Sequence, residues 1–282
     1  MKWEKGARGG QVEDRRGSKA GVAVGGGGVV ILIVAVIAYF MGADPRDIAR
    51  LTEQLSQAQA PAETVAPGTP EDRDGRFIDT MVTSNDQIWS KLLDGGSSPY
   101  RRARTVLYSD ATQTACGTGQ AAMGPFYCPA DETIYLDTGF FAVMEQQLNA
   151  PGDFARAYVI AHEYGHHIQT VLGTSANIQE AKQGASKAEA NQLSVRQELE
   201  ADCYAGVWAK QANAVYNWIE PGDIEAAINA ASAVGDDTLQ KKSQGRVIPD
   251  SFTHGTSEQR VRWFRRGFDE GHPSVCDAYS AE

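Results

Sequence analysis

The hexapeptide His162-Glu163-Tyr164-Gly165-His166-His167 constrains this chain more than any other stretch. It contains H-E-x-x-H, and two histidines four apart share a face only if the backbone is helical. The flanks agree. Pro151-Gly152-Asp153 is a start signal and Gly173 a stop signal, so a helix is predicted over 153–172. Ile160, Ala161, Tyr164, Ile168, Val171 and Leu172 form an apolar stripe, whereas Tyr158, His162, His166 and Gln169 fall on the other side. On such a helix two imidazoles can grip one zinc ion. Glu163 lies about 100° around the helix, within reach of a water on the metal but not of the metal itself. The competing reading is an amphipathic helix with solvated histidines. Against it, three of the five histidines lie within these six residues, and acidic partners follow downstream.

A catalytic zinc needs three protein ligands and one open position. The third is sought on the predicted helix 186–211, where Glu198 and Glu200 compete from nearly opposite sides. Glu198 shares its face with Ala201, Asp202 and Ala205, small residues that let another helix approach closely. Glu198 is therefore read as the ligand. Asp202 is read as the acceptor for the free ring N–H of a bound histidine, and Glu200 as a solvent-facing residue. The alternative is that all three carboxylates form a solvated face.

The chain has 282 residues, 42% of them hydrophobic, which suits one globular domain with appendages. A net charge of −10 excludes a nucleic-acid partner. Residues 1–20 carry six basic and three acidic side chains. Residues 21–41 carry no charge and include an unbroken apolar run from Val29 to Phe40. They are long enough for a transmembrane signal anchor, with the basic segment kept in the cytoplasm and the rest outside it. A cleaved signal peptide is the alternative, but no good small-residue cleavage site follows. Residues 42–75, rich in Ala, Gln and Pro, read as a linker.

The domain over 76–282 is expected to be α+β, mainly helical with a small sheet. Helices are predicted over 77–93, 140–148, 186–211, 223–234 and from Thr256 to about Phe268. Short strands are predicted at 105–108, 126–128 and 133–136, and a loop at 241–252. Thr256-Ser257-Glu258-Gln259 has the pattern of a capping box. His254 stands on the loop before it and could enter the cleft from the far side to hydrogen-bond an oxyanion; the other reading is a surface histidine. His167 is expected to be structural and His272 a turn residue. The four cysteines contain no C-x-x-C and could form two disulfides outside the cytoplasm. Cys116 with Cys128 would close a short loop, and Cys203 with Cys276 would tie the ligand helix to the C-terminus. Three pairings are possible.

H-E-x-x-H followed by E-x-x-x-D on a later helix is similar to the gluzincin class. More narrowly, the chain resembles the neutral zinc metallopeptidases of bacteria. The resemblance is carried by Gly124–Asp131, Ile134–Asp137, His162–Gln169, Glu198–Trp208 and His254–Phe264. It implies a zincin-like domain, a Zn2+ cofactor and a peptide or protein substrate, in a protein anchored in a bacterial cell membrane. Glu200 stands where that family's pattern has a neutral amide. The expected function is hydrolysis of peptide bonds by metal-activated water, with zinc on His162, His166 and Glu198, Glu163 as base, and His254 at the oxyanion. Two other readings remain: a binding or scaffold protein with a structural zinc, and a zinc hydrolase acting on a non-protein amide.

Overall fold

The computed structural model describes residues 1–10, 12–16, 70–96, 98–120 and 124–279. A four-stranded sheet has the order β1-β2-β6-β5, where β1 is Val12–Asp14, β2 Arg104–Tyr108, β5 Phe126–Cys128 and β6 Thr133–Asp137. Strands β1, β2 and β6 run parallel, and β5 is antiparallel to β6. A separate antiparallel hairpin pairs β3 (Ala111–Thr114) with β4 (Gly117–Gln120). The remaining elements are helices: α1 Arg73–Leu92, α2 Gly139–Gln146, α3 Asp153–Leu172, α4 Thr174–Gln183, α5 Lys187–Tyr216, α6 Asp223–Ala233, α7 Asp236–Gln244 and α8 Ser257–Glu270.

Period-two alternation sorts the sheet. Leu107, Ile134 and Leu136 face the helices, whereas Val106, Tyr108 and Tyr135 join Cys128 in a small cluster on the other face. The helical side holds the main core, with Phe77, Trp89, Tyr158, Tyr164, Trp208 and Phe264 at most 2% exposed.

Close backbone approaches set the helix spacing. A Cβ on Gly165 would lie 2.8 Å from Cα and O of Ala201, so α3 and α5 meet there almost backbone to backbone. Helices α5 and α8 meet likewise, Gly206 against Phe264 and Gly267 against Cys203. The Cys203–Cys276 disulfide fastens the same region, and Cys116–Cys128 ties the hairpin turn to the end of β5. The capping box at Thr256 and Gln259 forms as predicted, and a second starts α5 at Ser186 and Glu189.

The expected N-terminal membrane-spanning helix, and the single-pass location built on it, need correction. Among the described residues no helix is long and apolar enough to cross a membrane; residues 21–41 lie outside the described residues. The folded N-terminus gives the physical reason. Val12 pairs with Thr105 and Asp14 with Leu107 in the central sheet. Trp3 is 4% exposed, packs edge-on against Phe77 and donates to Asp153 at the start of α3. Three of the basic side chains read as a membrane flank pair within the domain: Arg15 with Glu13, Arg16 with Asp14 and Asp72, Lys2 with Glu220. A single crossing between residues 16 and 70 would put the two parts of this sheet on opposite sides of a bilayer. The polar loop predicted at 241–252 also differs, since its first residues belong to α7.

Candidate metal centre

Helix α3 supplies His162, Glu163 and His166, and α5 supplies Glu198 and Asp202. The close crossing at Gly165 and Ala201 brings the two sets together. His162 Nε2 lies 3.1 Å from one Glu198 oxygen and His166 Nε2 3.4 Å from the other. Ligand atoms of these three residues all fall within 4.8 Å of one another. The outer nitrogens are occupied: His162 Nδ1 is 2.8 Å from Asp202 Oδ1, and His166 Nδ1 is 2.9 Å from Gln169 Oε1. With each Nδ1–H donating to those acceptors, both Nε2 lone pairs point toward the shared space, the tautomer a metal ligand requires. Two imidazoles and one carboxylate match the donor set of a catalytic zinc, and the arrangement passes that test of fit. Glu163 is 6% exposed and lines the adjoining cavity of about 360 Å3, which also contains Phe140, Tyr158, His254 and Arg260.

The charges support one another. Burial opposes charge on His162, but Asp202 and Glu198 outweigh it and push its pKa up to about 10. Burial also opposes the Glu198 carboxylate, yet the two histidines hold it well below the usual range. Glu163 differs: burial raises its pKa, and the histidines offset this only in part.

A family model described as "Putative neutral zinc metallopeptidase" matches residues 1–279. The chain belongs to that family. Membership implies Zn2+, which the His162, His166 and Glu198 group is placed to hold. Among the family's proteins, the uncharacterized protein YpfJ of Escherichia coli K12 is 44% identical over 99% of both chains. The uncharacterized protein Rv2575 of Mycobacterium tuberculosis H37Rv is 40% identical over 86% of this chain and 85% of its own. No solved structure matches. The family match begins at residue 1, so it includes the docked N-terminal segment.

Other residues around the ligand group are less plain in the sequence. Arg260 is 3% exposed, donates to both oxygens of Asp202 at 2.8 and 3.0 Å, and reaches within 3.9 Å of Glu198. It falls in step with Trp263, Phe264 and Gly267 on the buried face of α8, and a cation on that face was the available signal. Tyr158 donates to Asp202 at 2.5 Å. Glu200 corrects the solvent-facing expectation: it is 4% exposed and accepts from Gln169 Nε2 at 2.9 Å and from Tyr204 at 3.1 Å. Helix α5 is packed on the Glu200 side too, while Glu198 borders the cavity with 18% of its side chain exposed. His254 lines the cavity rim, and Asp236 gathers its loop by accepting from the backbone N–H groups of Thr253, His254 and Gly255. His167 is fully buried between the Arg101 carbonyl and the Tyr127 hydroxyl, and His272 caps a short turn.

Proposed function

We propose that the chain is a zinc-dependent peptidase that hydrolyses peptide bonds with an activated water. His162, His166 and Glu198 hold the metal, and Asp202 and Gln169 fix the two rings. When bound, zinc polarises the scissile carbonyl and lowers the pKa of its water toward about 7. Glu163 moves the proton. Its carboxylate accepts the proton of the attacking water as the new C–O bond forms, then delivers it to the leaving nitrogen as the C–N bond breaks. Burial raises its pKa, which strengthens it as an acceptor and readies it to donate.

His254 completes the site from the opposite rim. A contact of 3.3 Å with Asp236 engages its Nδ1, so Nε2 is the nitrogen that hydrogen-bonds the oxyanion. The Asp236 hydrogen bond is the largest cause of a raised pKa at His254, which favours the doubly protonated donor form. Strand β5 borders the cavity and, among the described residues, pairs in its sheet with β6 alone, leaving an edge for an extended substrate.

The convergence of three ligand atoms beside a cavity that also holds Glu163 carries this reading. A structural zinc would need a fourth protein ligand, and the group among the described residues has three. The test is zinc content together with peptide digestion, comparing the native chain with Glu163→Gln. The variant should keep its metal and lose hydrolysis. Hydrolysis that survives the substitution would show that Glu163 is not the base.

A further inference from the structure

Helices α5 and α8 cross backbone to backbone at Gly206 and Gly267. On the stretch of α5 before that crossing, a groove of about 630 Å3 lies between them, and it shares no wall residue with the cavity at the metal centre. Its α5 bank follows from helical spacing: Ala188, Gln192, Val195 and Leu199 recur at every third or fourth position. Phe252 and Trp263, both at most 7% exposed, add apolar wall. The turn at Pro249–Ser251 forms a further side, tied to α5 by the Asn191 amide, which donates to the Asp250 carbonyl at 2.8 Å.

Three guanidinium groups reach this groove, Arg196 from α5 and Arg262 and Arg266 from α8, and all three residues are exposed. Among the described residues none of them forms an ion pair, and Asp250 is the one carboxylate in the wall. The chain has 36 acidic side chains against 26 basic ones, so three unpaired cations in one groove run against its overall charge. Two of the heads are steadied in advance. Arg266 lies over the Trp263 ring, 5.0 Å from its centroid, and Arg196 donates to the Tyr279 carbonyl at 3.5 Å. Such preorganisation lowers the ordering cost of taking a ligand. From residue 188 to residue 199 the α5 bank extends about 16 Å, the reach of about five residues of extended chain. Guanidinium groups on both banks of so long a groove suit a run of carboxylates better than one small anion.

We propose that the groove between α5 and α8 docks an acidic peptide segment of a partner protein, with Arg196, Arg262 and Arg266 taking its carboxylates. Arginine clusters recognise acidic motifs in this way, because the planar fork matches a carboxylate with two parallel hydrogen bonds. The site stands apart from the metal and does not depend on the peptidase reading. An exposed ion pair contributes a factor of about 1.4 to 5 in affinity, so three together give about three- to a hundredfold.

The test uses zinc-loaded full chain carrying Glu163→Gln, so that the probe stays whole, and a blocked, fluorescein-labelled pentapeptide alternating Glu and Leu. Fluorescence anisotropy compares it with the same peptide bearing Gln for Glu. The Glu peptide should bind at least about threefold more tightly at low salt, and the advantage should vanish near 1 M salt, where the Debye length is about 3 Å. Arg262→Glu with Arg266→Glu should reverse the preference. Arg246→Glu with Arg265→Glu makes the same change of charge at exposed positions outside the groove and should keep it. Urea unfolding checks that each pair folds; if the first pair does not, Arg262→Gln serves in its place and should weaken the Glu peptide alone. No preference for Glu, or a preference that the groove substitutions leave intact, overturns the proposal. Displacement of the peptide by about 1 mM inorganic phosphate would make this a small-anion site, and self-association abolished by the groove pair would make it an interface between copies; either result overturns the acidic-peptide assignment.

Discussion

Replacing Gly165 with Ala separates two effects that usually travel together. The new Cβ would sit 2.8 Å from the Ala201 backbone, whereas ordinary contact begins at 3.4 Å, so α3 and α5 must part by about 0.6 Å. For stability the changes offset only in part. Overpacking costs about 1–3 kcal/mol, and exchanging glycine for alanine inside a helix returns about 1 kcal/mol, a net loss of up to about 2 kcal/mol. For the metal nothing offsets the shift. His162 and His166 ride on α3 and Glu198 on α5, and metal–ligand distances tolerate only about 0.2 Å. Zinc affinity should fall by at least ten- to a hundredfold, roughly the loss seen when a ligand's outer hydrogen-bond partner is removed. Urea unfolding of the metal-free protein gives the first quantity, and chelator competition the second. If Gly165→Ala binds zinc as tightly as its parent, the close crossing does not set the ligand spacing and the reasoning fails.

Trp3→Ala should destabilise the whole domain by about 3–5 kcal/mol in urea unfolding, since Trp3 is 4% exposed against Phe77; no change would mean the N-terminal segment is not part of the cooperative unit. Opening Cys203–Cys276, with a sequence separation of 73, should cost about 4 kcal/mol on chain entropy, read by comparing unfolding with and without reductant. Burial raises the Asp236 pKa, but the hydrogen bonds of His254 and the backbone outweigh it and hold the folded value below the usual range. Its stabilisation is therefore complete above the unfolded carboxylate pKa and is lost as pH falls through the folded one. Asp236→Asn should flatten that acid limb of the stability profile and cost about 1–3 kcal/mol near neutrality.

The sequence states some parts of this site directly. The zinc-motif helix begins at Asp153 and ends at Leu172, as its Pro-Gly start and glycine stop require, because both signals act locally. Glu198 was legible because its neighbours Ala201 and Asp202 marked the face that another helix covers. Glu200 was not: its face opposite the cleft carries no apolar stripe, yet Gln169 and Tyr204 cover it and leave it 4% exposed. Strand β1 was invisible for another reason. Three residues, Val12-Glu13-Asp14, have no periodicity to read, and their partner lies some ninety positions away. Helix α7 was a misjudged case. Asp236 and Asp237 at its start and Gly245 at its end were the proper signals, but its polar surface outweighed them.

The ion pair of Arg16 with Asp72, 2.8 Å long, holds two described ends of the chain at one point on the domain. It follows that a short flexible bridge from residue 16 to residue 70 should let β1 keep its place beside β2 and leave the candidate metal ligands undisturbed.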